Sequence, residues 1–160
     1  MDVTKEKRAI EYLKSFQPTS EPYYLCYSGG KDSDVILILA KLAGVDFGAV
    51  HNLTGADEPE TVQYIKSNPD VEIEKPKAPM FKLIGSKTMP PTRRVRYCCS
   101  ELKEVGGKGR VKITGVRWAE STNRKNNQGL VTVIGKPAST AKIADKVGAD
   151  FQSTQKGGWY

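Results

Sequence analysis

The sequence predicts an α/β protein, a doubly wound, mostly parallel five-stranded sheet with helices on both faces. Three observations lead to that expectation. Short apolar runs alternate with stretches of helical period from residue 4 to residue 134. Gly, Pro, Asn and Ser punctuate the alternation at intervals that leave room for a helix between strands, which requires parallel pairing through right-handed crossovers. A glycine pair, Gly29 and Gly30, also stands between the first apolar run and the helix after it. That is where open α/β sheets place a ligand.

The elements follow in order. Residues 4–16 read as an amphipathic helix with Ala9, Ile10, Leu13 and Phe16 on one side, ended by Pro18. Residues 23–28 form the first strand, and residues 32–43 a mostly apolar, buried helix stopped by Gly44 at its C′ position. Residues 46–53 are a second strand. Asp57, Glu58, Pro59 and Glu60 look like a helix start, with an acid three residues before Glu60 and proline in the first turn. This helix carries Val62, Ile65 and Tyr64 inward and ends at Asn68 and Pro69. A third strand at 71–73, a short helix at 80–84 and another at 97–105 follow, the last broken by Gly106, Gly107 and Gly109. Residues 111–116 and 130–134 are the fourth and fifth strands, and residues 139–147 a final helix. The closing Gly157, Gly158, Trp159 and Tyr160 read either as a docked terminus or as the cut end of a longer protein.

Composition narrows the function classes. One domain is the default for 160 residues, and the 38% apolar and 27% charged fractions fit a globular protein. No run approaches the roughly 18 apolar residues of a membrane span, and the first residues lack the apolar core of a secretory signal. Three cysteines argue against a disulfide framework and for a reducing, cytoplasmic setting. Residues 93–125 hold ten Lys or Arg against three acids, which accounts for the whole net charge of +7. This segment is expected to meet an anionic partner, with a plain solvated basic face as the alternative.

Ser28, Gly29, Gly30, Lys31, Asp32 and Ser33 carry the chemistry. A strand, a glycine turn and a helix start make an anion site, because glycine lets the backbone approach closely and the helix terminus presents N–H groups and a positive dipole end. Two rival motifs fail. A Walker A loop needs Ser or Thr after Gly-Lys, where Asp32 stands, and the three spaced glycines of a dinucleotide fingerprint are missing. Asp32 reads as the helix cap or, alternatively, as a ligand to metal-bound water. His51, the only histidine, reads as structural before general base.

The S-G-G-K-D-S string resembles the PP-loop of the adenine-nucleotide alpha hydrolase-like superfamily. Three further segments resemble the phosphoadenosine phosphosulfate (PAPS) reductase-like family within it. They are Thr54-Gly55 with Pro59-Glu60-Thr61, the run from Arg96 through Cys98 and Cys99 to Lys103, and Gly115, Arg117, Glu120 and Ser121 in a G-x-R-x-x-E-S pattern. Residues 1–136 are thus expected to be a PP-loop nucleotide-binding domain, with 137–160 its C-terminal helix and tail. The resemblance implies nucleotide binding by Ser28, Gly29, Gly30, Lys31, Asp32, Ser33, Thr54, Gly55, Gly115, Arg117, Glu120 and Ser121. Lys31, Asp32 and Arg117 are the candidate catalytic residues.

The implied ligand is an adenine nucleotide: ATP, adenylyl sulfate or PAPS. The implied chemistry is sulfonucleotide reduction or cleavage of ATP between its α- and β-phosphates, the latter assisted by Mg²⁺. Leu53 stands where relatives usually have an acid before T-G, and no cysteine follows Cys99 to match the family's C-terminal nucleophile. Cys98 and Cys99 have three readings: cluster ligands, a thiolate pair tuned by Arg93, Arg94 and Arg96, or idle thiols. Three cysteines fall short of the four thiolates of a 4Fe–4S cluster, so none is expected, and no residues are assigned as a metal site. A nucleic-acid-modifying protein using residues 93–125 and a non-catalytic nucleotide-binding subunit are the alternatives. A reductant or partner protein, an oligomer, and no membrane complete the expectation.

Overall fold

The computed structural model describes residues 3–117 of the chain. In order these form α1 (Val3–Ser15), β1 (Tyr23–Cys26), α2 (Lys31–Ala43), β2 (Phe47–Asn52), α3 (Pro59–Lys66), β3 (Val71–Glu74), α4 (Met80–Lys87) and β4 (Lys112–Ile113). A wide π-type turn, Cys99–Lys103, precedes β4. The predicted strand at 130–134 and helix at 139–147 lie outside the described residues, as do Glu120 and Ser121. Two compact units divide the chain: 23–38 with 47–114, and, among the described residues, 3–22, 39–46 and 115–117. No helix among the described residues is long and apolar enough to cross a membrane.

The first of these units is a four-stranded, all-parallel sheet in the order β3-β2-β1-β4. Chain direction across the sheet therefore reverses after β3. β1 lies between β2 and β4, with Tyr24 paired to both Gly48 and Lys112. Period-2 alternation sends Leu25 to one face and Tyr24 to the other, and both are buried. On the Leu25 face Ala49 and His51 continue the core; on the Tyr24 face the turn at Gly106 and Gly107 lies directly against the Tyr24 ring. β4 covers only two of the residues expected at 111–116. Ile113 is its one buried side chain, and Gly115, two residues on, favours a strand poorly.

Two local expectations change. α2 is not buried all round: Ser33, Leu37, Ala40 and Ala43 form its inner stripe, whereas Val35, Ile38 and Leu42 are 45–57% exposed. A surface helix needs only such a stripe against its neighbours. In α3 only Ile65 is buried, and Tyr64 is half exposed. Gly44, by contrast, ends α2 as expected, at φ +65° in the left-handed region that closes helices.

Candidate functional site

The segment 28–33 leaves the C-terminal end of β1 and enters α2, which starts at Lys31 with Gly30 in the cap position. Gly29 has φ +77°, a conformation that side chains strongly disfavour. A Cβ on Gly29 would also stand 2.9 Å from two atoms of Ile65 and 3.1 Å from the Thr61 methyl. The loop thus rests on α3, and glycine there is demanded twice over. Gly30 is different. Its Cβ would meet only the Ser28 hydroxyl, at 3.6 Å, so the space beside it is open.

The two serines bond within the loop itself. Ser28 Oγ donates to Ser33 Oγ at 3.3 Å, and Ser33 Oγ donates to the Gly30 carbonyl at 2.7 Å. Ser33 and Asp34 also send their backbone N–H groups to the Gly30 carbonyl. Ser33, buried, therefore shapes the turn rather than offering a free donor. Asp32 sits one residue inside α2 and not at the cap. Lys31 and Ser28 are exposed.

Tyr27 and Asp34, which sequence reasoning passed over, clasp the loop. The Tyr27 hydroxyl donates to Asp34 Oδ1, closing the loop at its two ends, and Tyr64 Oη from α3 donates to Asp34 Oδ2 at 3.2 Å. Burial first, and then the Asp34 carboxylate that accepts its proton, push the Tyr27 phenol above its ordinary range. The only sequence signal was an acid directly after the motif.

The parallel loop after β2 lies at the same C-terminal edge of the sheet. Thr54 is buried, and both its N–H (2.6 Å) and its hydroxyl (2.8 Å) donate to Asp57 Oδ2. Asp57 thus holds the Thr54-Gly55 turn instead of capping α3, whose cap residue Glu58 makes no side-chain bond. Short polar side chains favour such local bonds. Burial alone would raise the Asp57 pKa, but the Thr54 hydrogen bonds, with the fields of His51 and Lys103, bring it below the usual carboxylate value. Gly55, at φ +78°, is exposed with open space around its α-carbon.

His51 is buried in β2, with Nδ1 3.0 Å from the Tyr27 carbonyl. The carbonyl can only accept, so Nδ1 donates to it. Nε2 is buried without a hydrogen-bond partner. On the opposite face, Asn52 Nδ2 donates to Tyr24 Oη at 3.1 Å, and Tyr24 Oη donates to Glu74 Oε2 at 3.5 Å. Arg110 and Lys112 lie over the Tyr24 ring, 5.4 and 5.8 Å from its centroid.

The cysteines remain free thiols. Arg96 Nη2 donates to Cys99 Sγ at 3.4 Å, while Arg93 and Arg94 are exposed at a turn closed between Thr92 and Val95. Cys26, half-buried at the end of β1, has its thiol pKa pushed up by burial against the opposing charge of Lys112. Among the described residues no three His, Cys, Asp or Glu side chains gather as a metal site.

The structure thus brings Ser28, Gly29, Gly30, Lys31, Asp32, Ser33, Thr54 and Gly55 to one sheet edge. Gly115 and the exposed Arg117 belong to the other compact unit. Compared with protein-family models, curated proteins and solved structures, the chain matches none of them.

Proposed function

We propose that the chain binds an adenine nucleotide through its phosphates at residues 28–33, in the manner of a PP-loop protein with the doubly wound PAPS reductase-like fold. One observation carries the reading: a glycine turn with Gly29 at φ +77°, clasped by Tyr27 and Asp34, opens a 13-residue helix at the C-terminal edge of an all-parallel sheet. Helix N-termini in that position favour anions. Strand order supports it too, since the reversal between β1 and β4 marks the crevice where open sheets take ligands. Gly30 has the open flank against which a phosphate fits, and Lys31 supplies exposed positive charge.

Of the two reactions the resemblance implies, cleavage of ATP between the α- and β-phosphates is the better supported. A sulfonucleotide reductase attacks with a thiolate, and burial at the end of β1 pushes up the pKa of Cys26, the thiol nearest the loop in sequence, which disfavours that form. The protein's contribution is then positioning and charge stabilisation. Mg²⁺ takes one or two carboxylates together with substrate phosphates; Asp32, in the first turn of α2, is the acid this loop offers. The ion would supply Lewis-acid neutralisation of phosphate charge. Arg117, Glu120 and Ser121 enter this reading through the motif alone.

Calorimetric titration with ATP, adenylyl sulfate and PAPS, beside a pyrophosphate-release assay, tests the proposal. Saturable adenylate binding, weakened at least tenfold in a Gly30→Ala variant of unchanged melting temperature, is the expected result. Equal affinity in wild type and variant, or no binding of any of the three, would remove it.

A further inference from the structure

The 93–125 window divides: Arg93, Arg94, Lys103 and Lys108 are exposed, while other members are engaged or lie outside the described residues. Arg110 and Lys112 point at the Tyr24 ring, Arg96 engages Cys99, and Arg124 and Lys125 lie outside the described residues. A different stretch has the cleaner pattern. Residues 75–96 contain Lys75, Lys77, Lys82, Lys87, Arg93, Arg94 and Arg96, and no Asp or Glu. All seven side chains are exposed. Lys87 pairs with Glu101 at 3.3 Å, which leaves Lys75, Lys77, Lys82, Arg93 and Arg94 as the cations facing solvent.

An aromatic side chain stands among them. Phe81 is 83% exposed on α4, a helix with no buried residue. Met80, Leu83 and Ile84 are the half-buried side of α4, while Phe81, Lys82, Gly85 and Ser86 form its exposed side. Gly85 lies one helical turn on from Phe81, and a Cβ there would meet nothing within 4 Å, so the surface of α4 at that point is open. The segment is also held in shape. Thr88 ends α4 in the left-handed conformation, Tyr97 Oη donates to the Met89 carbonyl at 2.7 Å, and two hydrogen bonds between Thr92 and Val95 present Arg93 and Arg94 at a turn.

We propose that the face formed by α4 and the 88–96 turn binds single-stranded nucleic acid, with a base stacked on Phe81 and phosphates met by Lys75, Lys77, Lys82, Arg93 and Arg94. Charge complementarity selects a polyanion, and a lone, almost fully exposed ring among cations is the pattern of a stacking platform. A membrane-surface helix would instead show a broad, fully exposed apolar face, whereas Met80, Leu83 and Ile84 are half-buried and Phe81 alone stands clear on α4. The proposal stands on this surface alone and is independent of the adenylate reading.

The test uses fluorescence anisotropy of labelled 15-nucleotide RNA and DNA single strands on the full chain, across a salt series. Phe81→Ala should weaken binding roughly tenfold at fixed salt, the scale of one lost base stack. The Arg93→Ala/Arg94→Ala double variant should flatten the log–log salt dependence by about 1.4, as expected for two lost phosphate contacts on a single strand. Both variants should keep the wild-type melting temperature. The proposal is overturned if Phe81→Ala binds as wild type, if duplex binds as tightly as single strand, or if phosphatidylserine vesicles show the Phe81 dependence and oligonucleotides do not.

Discussion

Two glycine pairs in one unit do opposite work. At Gly29 and Gly30 the chain bends over α3, and the second glycine leaves open space beside it. At Gly106 and Gly107 there is no space at all. A Cβ on Gly106 would stand 2.0 Å from the Tyr24 oxygen, and one on Gly107 would stand 2.6 Å from the ring. One pair frames a concavity; the other exists so that backbone can lie flat on a buried aromatic. Side-chain-free backbone can serve recognition or packing, and only the neighbours decide which.

The comparison can be broken at its packing end first. Gly107→Ala adds a methyl against the Tyr24 ring at a residue with φ +62°, so strain and overpacking combine. A loss of about 2–4 kcal/mol is expected in urea melts. Gly29→Ala faces the same backbone problem at φ +77°, but the atoms it meets include the flexible end of Ile65. A smaller cost of roughly 1–3 kcal/mol is expected, together with loss of adenylate binding in calorimetry. A Gly29→Ala protein that keeps full affinity would show that the turn is packing only.

Removing the phenol oxygen sharpens the other side. Tyr24→Phe should cost about 1 kcal/mol for its hydrogen bonds with Asn52 and Glu74. It should also reduce the penalty of Gly106→Ala, because the closest clash is with that oxygen; strict additivity in the double-mutant cycle would contradict the contact.

The smallest effect is a pH dependence at the Thr54 turn. Asp57 has a folded-state pKa below its unfolded value of about 3.9. Its stabilising contribution is therefore present above that value and lost as pH falls through the folded pKa. Chemical melts of wild type and Asp57→Ala should differ at pH 7 and converge below pH ~4. A gap that stays constant down to pH 2 would assign the effect to packing.

Much of the architecture was legible in sequence. β1, β2 and β3 are apolar or alternating runs with turn residues at their ends, and Gly44 stops α2 where expected. What escaped were choices made between competitors of similar strength. Asp57 could cap α3 or hold the Thr54 N–H, and the nearer donor won. The partner of Gly106 and Gly107 lies some 80 residues earlier in the chain, beyond any local pattern. Charge counting located a basic window but could not tell Arg110, turned onto Tyr24, from Arg93 and Arg94, which face solvent.

The β1–β4 pairing has a kinetic consequence. It joins Tyr24 to Lys112 and Leu25 to Ile113, residues 88 positions apart, through a strand of only two residues. The β1–β2 and β2–β3 pairs close far shorter loops, and they can form while the chain beyond β3 is still unstructured. Folding of this unit is expected to end, and unfolding to begin, at the β4 edge. The backbone amide of Tyr24, bonded to the Val111 carbonyl, should exchange with solvent deuterium before that of Tyr27, which is bonded to Val50 of β2. The crevice beside residues 28–33 would then open along the last seam to close.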